Sequence, residues 1–326
     1  MTQFEGVTAF LRRTSKLIIT AHETPDGDAI GSECATLRVL RGMGKSARIL
    51  NADPTPRKFR FLDPDGQVQV LVSAEQLPPD IAEYALLVLD TNDVHNIGLV
   101  ESIVLPRVRE HYIIDHHEQE EDLLAGNFVQ KSASSTAEIL YQIFREMGIE
   151  IDFLTAQALF AGIVYDTGSF IYPKTTALTF DIARDLVDRG VQPNTVYANV
   201  YESNSISALV LQSKVLATLE LEYGNGVAIL TMGAEMIRQS GAFYEEADQL
   251  INIPLKSEEI RVSIFFKENL EGLVRCSMRS KGPINVAEIA ASFGGGGHRT
   301  AAGFKCADTI PATRSVILER LRPWFA

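Results

Sequence analysis

The feature that most constrains this chain is a set of short apolar runs, several of which stop at an acidic residue or a histidine. Residues 16–20, 47–50, 84–89 and 111–114 are strand-length and largely apolar. Such runs suit strands buried on both faces, as in a parallel sheet, rather than half-solvated strands with apolar–polar alternation. Residues 68–72 and 127–130 are weaker strand candidates. Between the runs, apolar residues recur at helical spacing over 4–13, 29–43, 154–164 and 176–189. Gly44, Gly148 and Gly190 stand where such helices would stop. Ser135 with Glu138 fits a capping box opening a further helix that runs to about residue 147. This strand–helix alternation predicts an α/β fold whose first part is a doubly wound, mainly parallel sheet.

The ends of the runs carry the chemistry. The first leads into His22, Asp26 and Asp28, in a loop marked by Pro25 and Gly27. The run over 84–89 stops at Asp90, and the run over 111–114 stops at Asp115-His116-His117. The apolar helix over 154–164 leads into Asp166-Thr167-Gly168. All strand C-termini of a parallel sheet share one edge, so the first three segments converge in space. Taken singly, each residue has an ordinary reading as a structural histidine, a turn former or a helix cap. Those readings do not explain why every one follows a buried run. Carboxylates crowded together push each other's pKa up unless a cation joins them. Carboxylates with a few imidazoles suit manganese first, then magnesium, iron or cobalt. The ligands outnumber what one ion needs, which implies two ions about 3.5–4 Å apart with Asp90 bridging them. Such a pair suits in-line displacement at phosphorus. One histidine of the Asp115-His116-His117 run can stay off the metal and donate a proton or hydrogen bond to the substrate.

Composition narrows the partners. The chain of 326 residues carries a formal net charge of −12, which argues against coating long nucleic acid, duplex included. A small anion held in a local basic pocket or through metal is compatible with it. No apolar run approaches the ~18 residues of a membrane span. The N-terminus lacks a basic segment followed by an apolar core, so no secretory signal is read there. Cys34, Cys276 and Cys306 are odd in number and far apart. They read as small buried hydrophobes in a reducing cytoplasm.

Residues 191–218 read as a linker and connecting helix: Gln192-Pro193-Asn194 breaks the helical pattern, and 206–219 resumes it. Beyond it, a smaller mixed α/β part is predicted over 219–326. Strands over 219–223 and 227–232 flank Gly224-Asn225-Gly226, a hairpin signal. A helix is expected over 235–249, alternating strands over 261–266 and 272–278, and a short helix over 286–292. Then comes Gly294-Gly295-Gly296-Gly297-His298-Arg299, in which glycines let backbone approach an anion and His298 and Arg299 add donors.

His22-x3-Asp26-Gly27-Asp28, the isolated Asp90, Asp115-His116-His117 and Asp166-Thr167-Gly168 resemble, in order, the four motifs of the DHH phosphoesterases. Arg279-Ser280-Lys281, a helix and then Gly294 to His298 resemble the DHH-associated C-terminal domain. The resemblance spans nearly the whole chain. It implies a DHH catalytic domain over 1–190, a linker over 191–218 and a DHH-associated substrate-binding domain over 219–326, with a cleft between the domains. By it, His22, Asp26 and Asp90 would hold one ion, and Asp28, Asp90, His116 and Asp166 the other. Asp115 would orient His116, and His117 would face the substrate. Arg279, Ser280, Gly296, Gly297, His298 and Arg299 would contact the substrate. In size and layout the chain is similar to the nano-RNase/pAp phosphatase group, with no added membrane or sensor part. The implied reaction is hydrolysis of short oligoribonucleotides, roughly two to five nucleotides long, to mononucleotides, and of pAp to AMP; so short an anion needs one basic pocket rather than a basic groove. Hydrolysis of cyclic or linear dinucleotides or of polyphosphate is the alternative within the superfamily, and a non-catalytic nucleotide-binding module the alternative outside it. A homodimer is compatible with all of these.

Overall fold

The computed structural model describes residues 3–117 and 127–325, which fall into two compact units, Met1–Ser203 and Asn204–Ala326. The first unit runs α1 (Glu5–Arg13), β1 (Lys16–Thr20), α2 (Gly27–Gly42), β2 (Ser46–Asn51), β3 (Val68–Val70), β4 (Ala85–Leu89), α3 (Leu99–Ile103), β5 (Glu110–Asp115), β6 (Phe128–Val129), α4 (Thr136–Glu146), α5 (Phe153–Asp166), α6 (Ala177–Asp188) and α7 (Pro193–Tyr201). Its six strands pair in parallel in the order β3-β2-β1-β4-β5-β6. Both faces of the sheet are covered, which is why β1 and β4 are apolar on both sides. Leu17, Ile19, Leu87, Leu89 and Ile114 enter the core that includes α1, α2, α4 and α5. Ile18, Leu86, Val88 and Ile113 enter a second core with Val100 of α3.

Helices α2 and α5 pack closely enough to need glycines. A Cβ on Gly31 would lie 2.5 Å from the Ala158 carbonyl oxygen, and one on Gly162 would lie 2.6 Å from Asp28 Oδ1. Because α5 continues through Asp166, that residue ends a helix rather than opening a loop. Gly44, Gly148 and Gly190 all adopt positive φ just past their helices.

Two local readings change. Ser135 caps α4 by accepting from Glu138 N at 3.0 Å. The reciprocal half of the capping box does not form, because Glu138 Oε2 instead accepts from Ser134 and Thr179 hydroxyls, both at 2.6 Å. The helical pattern does break after α6, but Pro193 at once starts α7 at its first turn, where its missing N–H costs nothing, so part of the expected linker is helical. Val196 and Val200 of α7 join the first core.

The second unit runs α8 (Ile206–Leu216), β7 (Glu220–Glu222), β8 (Val227–Met232), α9 (Ala234–Ser240), β9 (Val262–Glu268), β10 (Val274–Ser280), α10 (Val286–Ala291), β11 (Gly296–His298), β12 (Ala301–Lys305) and α11 (Ile310–Leu321). Its sheet has the order β11-β12-β10-β9-β8-β7, with β8 and β9 parallel and the other pairs antiparallel. The mixed α/β reading holds, with two adjustments. The helix expected over 235–249 ends at left-handed Gly241 and resumes as a 3₁₀ segment over Tyr244–Asn252. Strand β9 is buried on both sides rather than alternating, since Val262, Ile264 and Phe266 enter one core and Phe265 another. Among the described residues, no helix is long and apolar enough to cross a membrane.

Glu33 on α2 is fully buried; Asn51 Nδ2 donates to its Oε2 at 2.9 Å, and its Oε1 has no hydrogen-bond partner. Burial, opposed by the Asn51 bond and aided by the charge of Asp63, pushes its pKa from 4.5 up to about 8. The folded protein therefore holds this proton at pH values where the unfolded chain has lost it. The stability Glu33 allows is full below pH 4.5 and falls as pH rises toward 8. A tenfold difference in proton affinity between the folded and unfolded chain is worth about 1.4 kcal/mol, so the loss amounts to a few kcal/mol. Glu33→Gln should remove this decline. In urea unfolding at pH 5 and pH 8.5, the wild type should lose a few kcal/mol more stability than the variant; equal losses would refute the assignment.

Candidate metal centre

Strands β1 and β4 are neighbours where the strand order reverses, the point at which open α/β sheets form a crevice beyond their C-terminal ends. His22 and Asp26 follow β1, Asp90 follows β4, and Asp115 ends β5 beside it. Asp26 is the N-cap of α2, its Oδ1 accepting from Asp28 N at 2.9 Å and Ala29 N at 3.2 Å. Asp90 sits at φ 62°, a left-handed conformation that aspartate tolerates better than most residues but that still costs of order 1 kcal/mol.

Three sets of groups gather here. His22, Asp26 and Asp90 form one, Asp28, His116 and Asp166 a second, and Asp90, Asp115, His116 and His117 a third; within each, one donor atom per residue lies within 4.8 Å of the others. Asp90 faces both histidine-bearing sides. Its Oδ2 is 3.7 Å from His22 Nε2, and its Oδ1 is 3.5 Å from His116 Nε2. His116 Nε2 is also 2.9 Å from Asp166 Oδ2 and 3.9 Å from Asp28 Oδ2. His22 Nδ1 donates to the Glu23 carbonyl oxygen at 2.7 Å, which orients the ring so that Nε2 faces Asp90.

Asp115 does not orient His116. Its Oδ1 lies 2.6 Å from His117 Nδ1, while both ring nitrogens of His116 are buried without a hydrogen bond. One sequence position went unread as part of the site. Thr136, the first residue of α4, donates its hydroxyl to Asp90 Oδ1 at 3.0 Å and its N–H to Asp28 Oδ2 at 2.6 Å. Its signal, the run Ser134-Ser135-Thr136, is indistinguishable in sequence from an ordinary helix start.

The donor set fits divalent cations. Burial, with the charges of Asp166 and Asp26 added, pushes Asp28 up to about 7 against the pull of His116 and the Ala137 amide. Asp90 is pushed well above the carboxylate range by burial and then by Asp28, Asp26, Asp166 and Asp115. Burial pulls His116 down, but Asp166, Asp28 and Asp115 outweigh it and lift it to about 9. Asp115 moves the other way: burial raises it, yet the His117 hydrogen bond and both imidazoles hold it below its usual value. Groups that drive each other toward protonation form a site short of positive charge. Hard-to-intermediate divalent cations supply it, and His116 Nε2, buried among Asp166, Asp90 and Asp28, is a ready ligand atom for one.

In the second unit, Arg279, Ala301 and His298 lie in one row across β10, β12 and β11. Directly opposed residues of antiparallel strands share a face, so Arg279 and His298 do too, as does the row of Lys267, Arg275 and Lys305. Gly296 pairs with Gly303 between those rows. Ser280 points to the other face, buried, with its hydroxyl donated to the Ile284 carbonyl at 2.8 Å. Arg299 is exposed and donates to the Pro283 carbonyl at 2.8 Å. The glycine run is partly a packing requirement. A Cβ on Gly295 would lie 2.2 Å from the Gly303 oxygen, and one on Gly297 would lie 2.5 Å from the Ala301 oxygen, whereas Gly294 and Gly296 face open space.

Comparison with known proteins matches residues 16–163 to the DHH family, N-terminal domain, and residues 224–326 to the DHHA1 domain. The chain is 31% identical to the bifunctional oligoribonuclease and PAP phosphatase NrnA of Thermus thermophilus, over 88% of this chain and 83% of the relative. It is 29% identical to the protein of that name in Bacillus subtilis, over 88% of each chain. An exopolyphosphatase-related protein of Bacteroides fragilis superposes with a TM-score of 0.89 at 25% identity, covering 99% of this chain and 97% of the other. The chain belongs to the DHH family.

Asp90→Asn separates stability from metal binding. Removing the charge that its four neighbouring carboxylates oppose should raise the melting temperature in EDTA by a few degrees. Saturating Mn²⁺ should shift the wild type upward, by about 2.7 kcal/mol at a hundred times the dissociation constant, and the variant should lack that shift. Thermal unfolding with EDTA and with Mn²⁺ reads both; a variant still stabilised by Mn²⁺ would contradict the site.

Proposed function

We propose that the chain is a phosphoesterase using two divalent cations, manganese first and magnesium, cobalt or iron after it, to hydrolyse short oligoribonucleotides to mononucleotides and pAp to AMP. The observation that carries this reading is the placement of Asp90 between two ligand sets, with one oxygen toward His22 and the other toward His116. We assign His22, Asp26 and Asp90 to one ion and Asp28, Asp90, His116 and Asp166 to the other. The names of the Thermus thermophilus and Bacillus subtilis relatives support the substrate class.

When bound, two such ions supply the charge that neutralises phosphoryl oxygens and lowers the pKa of an attacking water. The protein's own groups do the rest. Asp115, fully buried and held in the ionised range, fixes the His117 ring through Nδ1 at 2.6 Å. The His117 side chain is 32% exposed, which makes the ring accessible from solution. We assign it the proton or hydrogen bond given to the leaving oxygen, a task worth about 10²–10⁴ in rate.

In the second unit, Arg279 and His298, with Arg275 and Lys305 on the same face, give the basic surface that a short anionic substrate needs on a protein of net charge −12, whereas Lys267 in the same row is buried and paired with Asp248. Gly296, open to solvent, and Arg299 extend the assignment; Gly297 and Ser280 act in it by shaping the backbone. Cys34, Cys276 and Cys306 are free thiols, which suits a reducing compartment, and we place the enzyme in the cytoplasm.

His117→Ala and Asp115→Asn should each lower turnover of a labelled diribonucleotide and of pAp by about 10²–10⁴ while leaving Mn²⁺ binding and melting temperature near wild type. Undiminished turnover would reject the roles. A panel of diadenylate, pAp, cyclic dinucleotide and polyphosphate tests the substrate class, and preference for polyphosphate would overturn it in favour of the activity for which the Bacteroides fragilis protein's description is named.

A further inference from the structure

Helix α4 begins inside the metal centre. Its N-cap is Ser135, whose Oγ accepts from Glu138 N, so one of the amides a helix leaves unpaired at its start is satisfied locally. Two others go to Asp28. Thr136 N donates to Asp28 Oδ2 at 2.6 Å and Ala137 N to Oδ1 at 3.0 Å; the Ser32 hydroxyl adds a third bond to Oδ1 at 3.3 Å. The Thr136 side chain then donates to Asp90 Oδ1 at 3.0 Å. One buried residue thus bonds both to Asp28, which belongs to one ligand set, and to Asp90, which the two sets share.

From this geometry we infer that Thr136 is a positioning residue for the metal pair, holding Asp28 and Asp90 in register before any cation arrives. The inference rests on the two-cation reading given above. Like-charged carboxylates relax apart or take up protons unless donors fix them. A hydroxyl and an amide on one residue fix both, and each donor occupies one lone pair of its acceptor, leaving others for a cation. The anchor is itself immobile. Thr136 is fully buried, and Glu138, two residues on, is clamped by the Ser134 and Thr179 hydroxyls. The common alternative, a threonine hydroxyl bonded back into its own helix, is not what Thr136 does: its bond runs 46 residues away in sequence, to Asp90.

Thr136→Val keeps the shape and the amide and removes only the hydroxyl; Thr136→Ser keeps the hydroxyl. In calorimetric titrations of the whole chain with Mn²⁺, Thr136→Val should weaken binding of at least one ion by about 10- to 100-fold, with Thr136→Ser restoring near-wild-type affinity. Unfolding in EDTA is measured in parallel. A Val variant with lowered metal-free stability but wild-type Mn²⁺ affinity would show a merely structural threonine and overturn the inference. Should Thr136→Val fail to fold, Thr136→Ala is titrated in its place, and failure of both to fold likewise assigns a structural role and overturns it. A wild type that binds no Mn²⁺ would instead refute the two-cation reading.

Discussion

Mutual repulsion among buried carboxylates is the constraint that the first unit is built to withstand. Asp28 and Asp115 are fully buried and Asp90 nearly so, at the edge of a sheet whose interior is otherwise apolar. An uncompensated buried charge costs several kcal/mol, against a net stability for a whole domain of about 5–15 kcal/mol. A helix cap offsets only about 1 kcal/mol. No single donor could hold the cluster, and none is asked to. Asp26 takes two amides of α2, Asp28 two amides of α4, Asp90 the Thr136 hydroxyl and Asp115 the His117 ring. The helices around the sheet edge therefore have a second task besides covering apolar surface, because their N-termini aim unpaired N–H groups at the acids.

That division explains what could be read in the sequence. Strand ends were legible because a parallel sheet brings every C-terminus to one edge whatever its strand order, so His22, Asp90 and Asp115 had to converge. The α/β class was legible for the same reason, from runs too apolar for a half-solvated strand. Contacts that depend on the meeting of distant elements were not. Thr136 and Asp28 are 108 residues apart, and nothing local distinguishes Thr136 from any helix start. The family resemblance gives Asp115 to His116, but in the structure its Oδ1 lies against the His117 ring nitrogen at 2.6 Å. Glu138 matched a capping box by spacing, yet two hydroxyls, one of them from the distant Thr179, claim its carboxylate.

The second unit repeats the lesson with glycine. A run of four glycines can mean a mobile tether, a cradle for an anion or a backbone packed too tightly for side chains, and sequence alone does not choose. Here the choice is split along the run. Gly295 and Gly297 are excluded from bearing a Cβ by the backbone of β12, while Gly296 between them meets nothing. The tight pairing is what brings His298 into the row with Arg279, so the packing glycines set the register of that row.

Exposure within the metal centre sorts its members by task. The side chains of Asp28, Asp90 and His116 are 0%, 2% and 4% exposed, whereas those of Asp166, His22 and His117 are 22%, 23% and 32% exposed. The deep groups are the ones bound by donors from α4 or hemmed in by other acids, and they cannot move without opening the core. Asp166 and His22 line the rim, each within 4 Å of a deep partner. His117 differs from both: its short contact is to Asp115, which lies outside the two sets that hold His22 and Asp166. A ring braced by a fully buried carboxylate and about a third exposed is set apart from the deep groups. The exposure gradient, from the deep carboxylates to the partly exposed His117, gives the cluster one side that faces solution and one that the fold holds fixed.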